Sequence, residues 1–303
     1  MDLTFDNVTK FYGPVIGIND VTCKITPGIT ALFGANGAGK STMIKLASGQ
    51  LRPSQGRVRI GDRSTWSTAA KADFGYSPDI NSFYEEMTGR EFVTSMSRLY
   101  GFSISEARRR SDIALERVGM ADRADRRIAG CSHGMRQRIK LAQAMTHDPQ
   151  VLLLDEPLTG VDPGGRVDFH RLLGQLADEG KTILFSTHLL AEVEDICDRV
   201  LMISKGRVLA SGTLSQIRSL LEDQPLTVAI EAAEARKVAA LLLQMDEVRS
   251  VEIEGETLTV RTANASTFFP AINELVLKEQ LSLVRMQTID EGADAVFSYL
   301  EGA

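Results

Sequence analysis

The eight residues "GANGAGKS", Gly34 to Ser41, decide the fold. They follow the apolar run "GITALF" and open into Met43, Ile44, Leu46 and Ala47, spaced as one face of a helix. Strand, glycine-rich loop and helix therefore meet here. Glycines let successive backbone N–H groups turn inward, and the helix start adds the positive end of its dipole. Together they make a cradle for an anion.

The spacing is G-x-x-x-x-G-K-[ST], which belongs to loops that hold nucleotide phosphates. Gly34, Asn36, Gly37, Ala38, Gly39 and Thr42 are candidate nucleotide contacts in the loop and the first helical turn. Lys40 would reach the β- and γ-phosphates, and the Ser41 hydroxyl would hold Mg²⁺. A second stretch, "VLLLDEP" (151–157), supplies what the loop lacks. Four apolar residues make a buried strand, and two carboxylates emerge at its C-terminal end, where open α/β sheets bind ligands. Asp155 is the candidate metal ligand and Glu156 the candidate base for an attacking water. "ILFSTH" ends at His188, again on a strand end, and points to a γ-phosphate contact.

With "FYG" ahead of them and "FGYSPD", "CSHGMRQR" and "LTGVDP" among them, these segments run in a fixed order. Over roughly residues 3 to 220 the chain resembles the nucleotide-binding subunit of an ATP-binding-cassette (ABC) transporter. The resemblance implies a P-loop α/β cassette, with a RecA-like core and antiparallel β and helical subdomains. It implies ATP and Mg²⁺ as ligands and ATP hydrolysis as the activity. Tyr12 would stack on adenine, Asp162 would be the acidic D-loop residue, and His188 the switch histidine. Two cassettes pair head to tail in this family, so Ser132 and Gly134 would act on ATP held by a partner, taken as a second copy of this chain.

Two motifs depart from the family pattern, the Q-loop at Asp79 and the signature, where LSGGQ is replaced by Cys131-Ser132-His133-Gly134-Met135. Asp79 stands where a glutamine follows "YxP"; its carboxylate could order water or Mg²⁺, but adds negative charge beside a triphosphate. His133 stands where the signature carries glycine. Its imidazole either turns away from the nucleotide or contacts the partner's γ-phosphate. "EEMTGREFVTSMSRLYG" and the ending "DEGADAVFSYLEG" resemble exporter cassettes that serve a separate ABC-2 type permease. The surface from Phe83 to Phe92 would then receive the permease, with ordinary core packing the alternative for Phe83 and Tyr84.

The rest of the chain sets bounds. It has 303 residues, 43% hydrophobic and 24% charged, with three widely spaced cysteines and no CxxC. That composition is globular and fits a reducing compartment. The net charge of -6 argues against nucleic acid as partner, and Arg108 to Arg110 read as a solvated helix face. The start "MDLTFDNVTK" has no signal-peptide pattern, and no apolar stretch approaches a membrane span. A cytoplasmic protein, held on the inner face of the membrane through its permease, is expected. Residues 1–220 are expected to form the cassette, with a helical subdomain at about 88–148. Residues 221–303 read βαββαβα, a small ferredoxin-like domain for regulation, dimer stabilisation or bracing.

Overall fold

In the computed structural model, residues 1–80, 82–189, 192–193, 196–213, 215–217, 226–262 and 265–288 are described. Two compact units part between Gly212 and Thr213.

The first unit opens with β1 (Leu3–Tyr12), β2 (Val15–Ile25) and β3 (Gly28–Phe33). The loop at Gly34 leads into α1 (Lys40–Ala47), then β4 (Gln55–Ile60), β5 (Arg63–Ser64) and β6 (Phe74–Ser77). Three helices follow: α2 (Gly89–Arg98), α3 (Ile104–Arg117) and α4 (His133–Met145). The chain then returns through β7 (Val151–Leu154), α5 (Pro163–Asp178), β8 (Thr182–Thr187), β9 (Arg199–Ser204) and β10 (Arg207–Gly212).

Two sheets result. An antiparallel one runs β2-β1-β4-β5, and a six-stranded one runs β10-β9-β3-β8-β7-β6. In the larger sheet β9, β3, β8, β7 and β6 are parallel, and only β10 pairs antiparallel. Every residue of β7 and β8 is buried, as expected for strands covered on both faces. Phe5, Ile18, Met43, Ile44, Leu46, Val58, Leu153 and Leu184 share one core, so α1 is packed between the two sheets. Truncating a side chain as buried as Leu46 to alanine costs about 2–5 kcal/mol. The loop ahead of α1 is thus mounted on this shared core.

Helix starts follow from local chemistry. The Thr88 hydroxyl accepts from Glu91 N, and Thr88 N donates back to the Glu91 carboxylate, a reciprocal cap on α2. Ser103, Ser132 and Asp162 cap α3, α4 and α5 from one side, each accepting from the backbone N–H three residues on. Arg109 and Arg110 both pair with Glu106, and Arg110 also lies over the Phe102 ring.

The second unit holds β11 (Leu226–Ala232), α6 (Ala235–Leu242), β12 (Val248–Glu254), β13 (Thr257–Thr262), α7 (Ala265–Glu279) and β14 (Leu283–Thr288). Its antiparallel sheet runs β12-β13-β11-β14, and its core gathers Val228, Ile230, Val238, Leu242, Leu258 and Phe268. The last helix expected from the sequence, within "GADAVFSYLEG", lies outside the described residues.

Candidate functional site

The parallel order β3-β8-β7-β6 places four strand ends side by side. Adjacent strands lie about 4.8 Å apart. The glycine loop after β3, His188 after β8, Asp155 and Glu156 after β7 and the Pro78-Asp79 turn after β6 therefore share one edge. This is the reason residues so distant in sequence meet.

The loop needs its glycines at two points. At Gly34 a Cβ would stand 2.3 Å from the Ile203 carbonyl oxygen. At Gly39 φ is +113°, a left-handed backbone that favours glycine, and a Cβ would stand 2.8 Å from Gly17 O. Lys40 is buried and donates from Nζ to Gly34 O at 2.7 Å and Ala35 O at 3.3 Å. The same ammonium lies 3.3 Å from Glu156 Oε1. The other oxygen of Glu156, Oε2, lies 3.0 Å from His188 Nδ1. One carboxylate thus spans Lys40 and His188. Glu156 also holds φ +47°, an uncommon backbone for a side chain of its size, which is retained where surrounding structure fixes it.

Asp155 is buried beside it. Its Oδ1 accepts from Ser186 Oγ at 2.6 Å and Ser41 Oγ at 3.3 Å. Burial raises the Asp155 carboxyl above its ordinary value, against the opposing pull of the Ser186 and Ser41 hydroxyls. A bound cation would relieve that buried charge. Ser41 and Asp155 offer hard oxygen donors that fit Mg²⁺, whose other positions belong to phosphate and water. Asp79 is exposed on the same edge, and its charge adds to the rise at Asp155.

Tyr12 projects its ring at the end of β1, with its hydroxyl 3.4 Å from Thr42 Oγ1 and Lys10 Nζ 5.6 Å from the ring centre. Asn36 and Gly37 are exposed at the loop crest, while Ala38 is buried. The structure sets the start of α4 beside the loop after β7. A Cβ on Gly134 would have Asp162 Oδ1 as its neighbour at 3.9 Å, and one on Gly160 would stand 2.9 Å from His133 Cδ2. His133 Nε2 lies 3.2 Å from Gln137 Nε2. The imidazole is therefore seated on its own chain, against Gly160 and Gln137. Cys131 is buried behind it, with Sγ 3.5 Å from Arg127 O. Phe83 and Tyr84 divide: Phe83 meets Phe92 edge-on at 5.0 Å, while Tyr84 is exposed.

Three contributors escaped sequence reasoning. Ser186 accepts from Glu156 N at 2.9 Å and donates to Asp155, so one hydroxyl orients both carboxylates. Its signal was a polar residue inside the apolar run "TILFST". Thr187 donates to the buried Glu192 at 2.5 Å and accepts from Leu189 N, shaping the turn that carries His188. Lys140, buried on α4, donates to Pro78 O at 2.8 Å and Asp79 O at 3.0 Å. Burial lowers its pKa to about 8, partly offset by Asp79 and Asp155.

The sequence model of the ABC transporter family matches residues 18–159. The daunorubicin resistance ATP-binding protein DrrA3 of Streptomyces coeruleorubidus is 30% identical over 99% of this chain and 96% of its own length. The chain belongs to the ABC transporter family. It is an ABC ATPase cassette. The ATP-binding protein NatA of Bacillus subtilis is 37% identical over 67% of the cassette chain and 84% of its own. A solved ATP-binding subunit of an ABC transporter overlays 73% of the cassette chain and 93% of its own, at 31% identity and a TM-score of 0.65. An ABC cassette solved as a dimer, 24% identical with a TM-score of 0.65, shows the same fold. Among the described residues no helix is long and apolar enough to cross a membrane.

Proposed function

We propose that this cassette hydrolyses ATP in sites shared between two copies, and so drives a separate ABC-2 type permease that exports its cargo. The observation that carries the reading is the Glu156 carboxylate, held between Lys40 Nζ at 3.3 Å and His188 Nδ1 at 3.0 Å. When ATP is seated, Lys40 is drawn to the β- and γ-phosphates, which frees Glu156 Oε1 for a water. Glu156 takes the proton as the water oxygen bonds to the γ-phosphorus and the bond to the β,γ-bridging oxygen breaks, leaving ADP and phosphate. His188 would hydrogen-bond the γ-phosphate. Mg²⁺, held by Ser41 and Asp155 with Asp79 nearby, would screen charge between the phosphates.

Tyr12 would stack on adenine, while the backbone from Gly34 to Thr42 surrounds the phosphates. Ser132, Gly134 and the start of α4 would face the γ-phosphate of the partner's nucleotide, the helix dipole favouring its charge. Asp162, beside Gly134, would meet the partner across the same interface. The relatives' names support export: one is a daunorubicin resistance protein, and a Nod factor export protein of Rhizobium johnstonii is 35% identical over 83% of this chain and 81% of its own. The second unit would be a ferredoxin-like accessory domain. The cassette would sit at the cytoplasmic face of the membrane through the permease.

The test is purification of the tagged cassette in detergent from cells expressing it with its neighbouring genes. A multi-span protein should co-purify and alter the ATPase rate, and Lys40→Ala should abolish that rate. Co-purification with nucleic acid and no membrane protein would contradict the reading.

A further inference from the structure

Among the described residues β6 is an outer strand of the six-stranded sheet, paired only with β7. The carbonyls of Asp73 and Ser77 point at β7, where they accept from Val151 N and Asp155 N. Carbonyls alternate along a strand, so those of residues 74, 76 and 78 face the open side. A buried carbonyl without a donor costs about 1–3 kcal/mol. Each of these three is met by a side chain. His147 Nε2 lies 3.0 Å from Phe74 O, Gln143 Nε2 donates to Tyr76 O at 2.6 Å, and Lys140 Nζ donates to Pro78 O at 2.8 Å. Lys140 adds a bond to Asp79 O at 3.0 Å.

The donors at 140, 143 and 147 form one stripe of α4 and the turn just past it, spaced i, i+3 and i+7. The helix that Ser132 caps is thereby laced to the free edge of β6, and the lace ends at Asp79. Lys140 is the special member of the three. It carries a charge, it is 3% exposed, and its neighbouring carboxylates are Asp79 and Asp155.

We propose that Lys140 is a positioning residue for ATP hydrolysis, fixing the Pro78-Asp79 backbone to the signature helix and offsetting the carboxylate at position 79. This explains how an acidic residue stands beside a triphosphate. A neutral side chain at 140 would leave that charge uncompensated and the turn unanchored. The proposal rests on ATP binding at Lys40 and Ser41.

The experiment is a double-substitution cycle with Lys140→Met and Asp79→Asn, read as KM for Mg-ATP and kcat. Lys140→Met alone should raise KM about tenfold, from loss of both the backbone anchor and the charge. In the Asp79→Asn background the same change should raise KM only about threefold, since the charge it balanced is gone and only the lost backbone anchor remains. Equal KM ratios in both backgrounds would overturn the proposal. If Lys140→Met does not fold, Lys140→Gln keeps one N–H donor without the charge. It should bind a fluorescent ATP analogue weakly with Asp79 and normally with Asp79→Asn, and equal binding in both would again overturn the proposal. Lys40→Ala, measured alongside, separates the two failures: native binding of the analogue by that variant would sink the nucleotide placement itself, whatever the cycle shows.

Discussion

Asp155→Asn should make the nucleotide-free cassette more stable and the ATP-bound cassette less so. Burial is the largest influence on this carboxyl, raising its pKa from 3.8, and the charges of Asp79 and Glu156 add to the rise. The hydroxyls of Ser186, at 2.6 Å, and Ser41, at 3.3 Å, pull the other way and lose. A raised folded pKa means the native chain holds a proton more readily than the unfolded chain. Ionised Asp155 therefore costs stability at neutral pH, and the cost fades as pH falls through the folded pKa. Asparagine keeps the oxygen that accepts both hydroxyls and removes the charge. The expected gain without nucleotide at about pH 7.5 is about 1 kcal/mol, ordinary for a stabilising single change. That is a rise in Tm of roughly 2–4 °C for a unit of this size. The gain should shrink at lower pH, as the native Asp155 takes up a proton before the unfolded chain does. Mg-ATP at a hundred times its Kd should stabilise the native cassette by about 2.7 kcal/mol. The variant, without the carboxylate proposed to hold Mg²⁺, should gain far less, so Mg-ATP should invert the order of stabilities. Thermal melts at neutral and lower pH, with and without Mg-ATP, read all four quantities. A variant that melts below native without nucleotide, or gains as much from Mg-ATP, refutes the reasoning.

The remaining predictions concern the supports of the site. Gly160→Ala should cost about 1–2 kcal/mol, because φ there is +71° and the new methyl meets His133 Cδ2 at 2.9 Å. Adding His133→Gly should relieve the clash and not the backbone strain; strictly additive urea midpoints would refute the seating of that ring. The ATPase pH profile of His133→Gly should keep its native shape, and a shifted profile would place the imidazole on phosphate instead. Ser186→Ala strips a partner from both Glu156 N and Asp155, so denaturant unfolding should show a loss of about 1–3 kcal/mol, together with a fall in kcat.

Much of this was legible because it is local. "GANGAGKS" between an apolar run and a helical face, and "VLLLDEP" and "ILFSTH" as apolar strands ending in polar residues, each carry their own signal within about ten residues. What escaped is non-local. β6 is only Phe74–Ser77, and it becomes a strand by pairing with Val151–Leu154, far along the chain. The sequence reading took "FGYSPD" as a motif and saw no strand in it. The partners of Lys140 are backbone carbonyls, which leave no trace in residue types. His133 could be given two roles from its position, and only the packing shows the ring on Gly160. Ser186 was hidden because a serine in a strand has many ordinary uses.

The central claim is that ATP draws two cassettes together around sites built from both chains. Sedimentation of Glu156→Gln, which should bind ATP while lacking the proposed base, tests it most directly. With Mg-ATP the variant should shift from monomer to dimer, and Ser132→Arg in the same chain should abolish the shift. A Glu156→Gln chain that stays monomeric at saturating Mg-ATP, or a dimer indifferent to Ser132→Arg, would contradict the account.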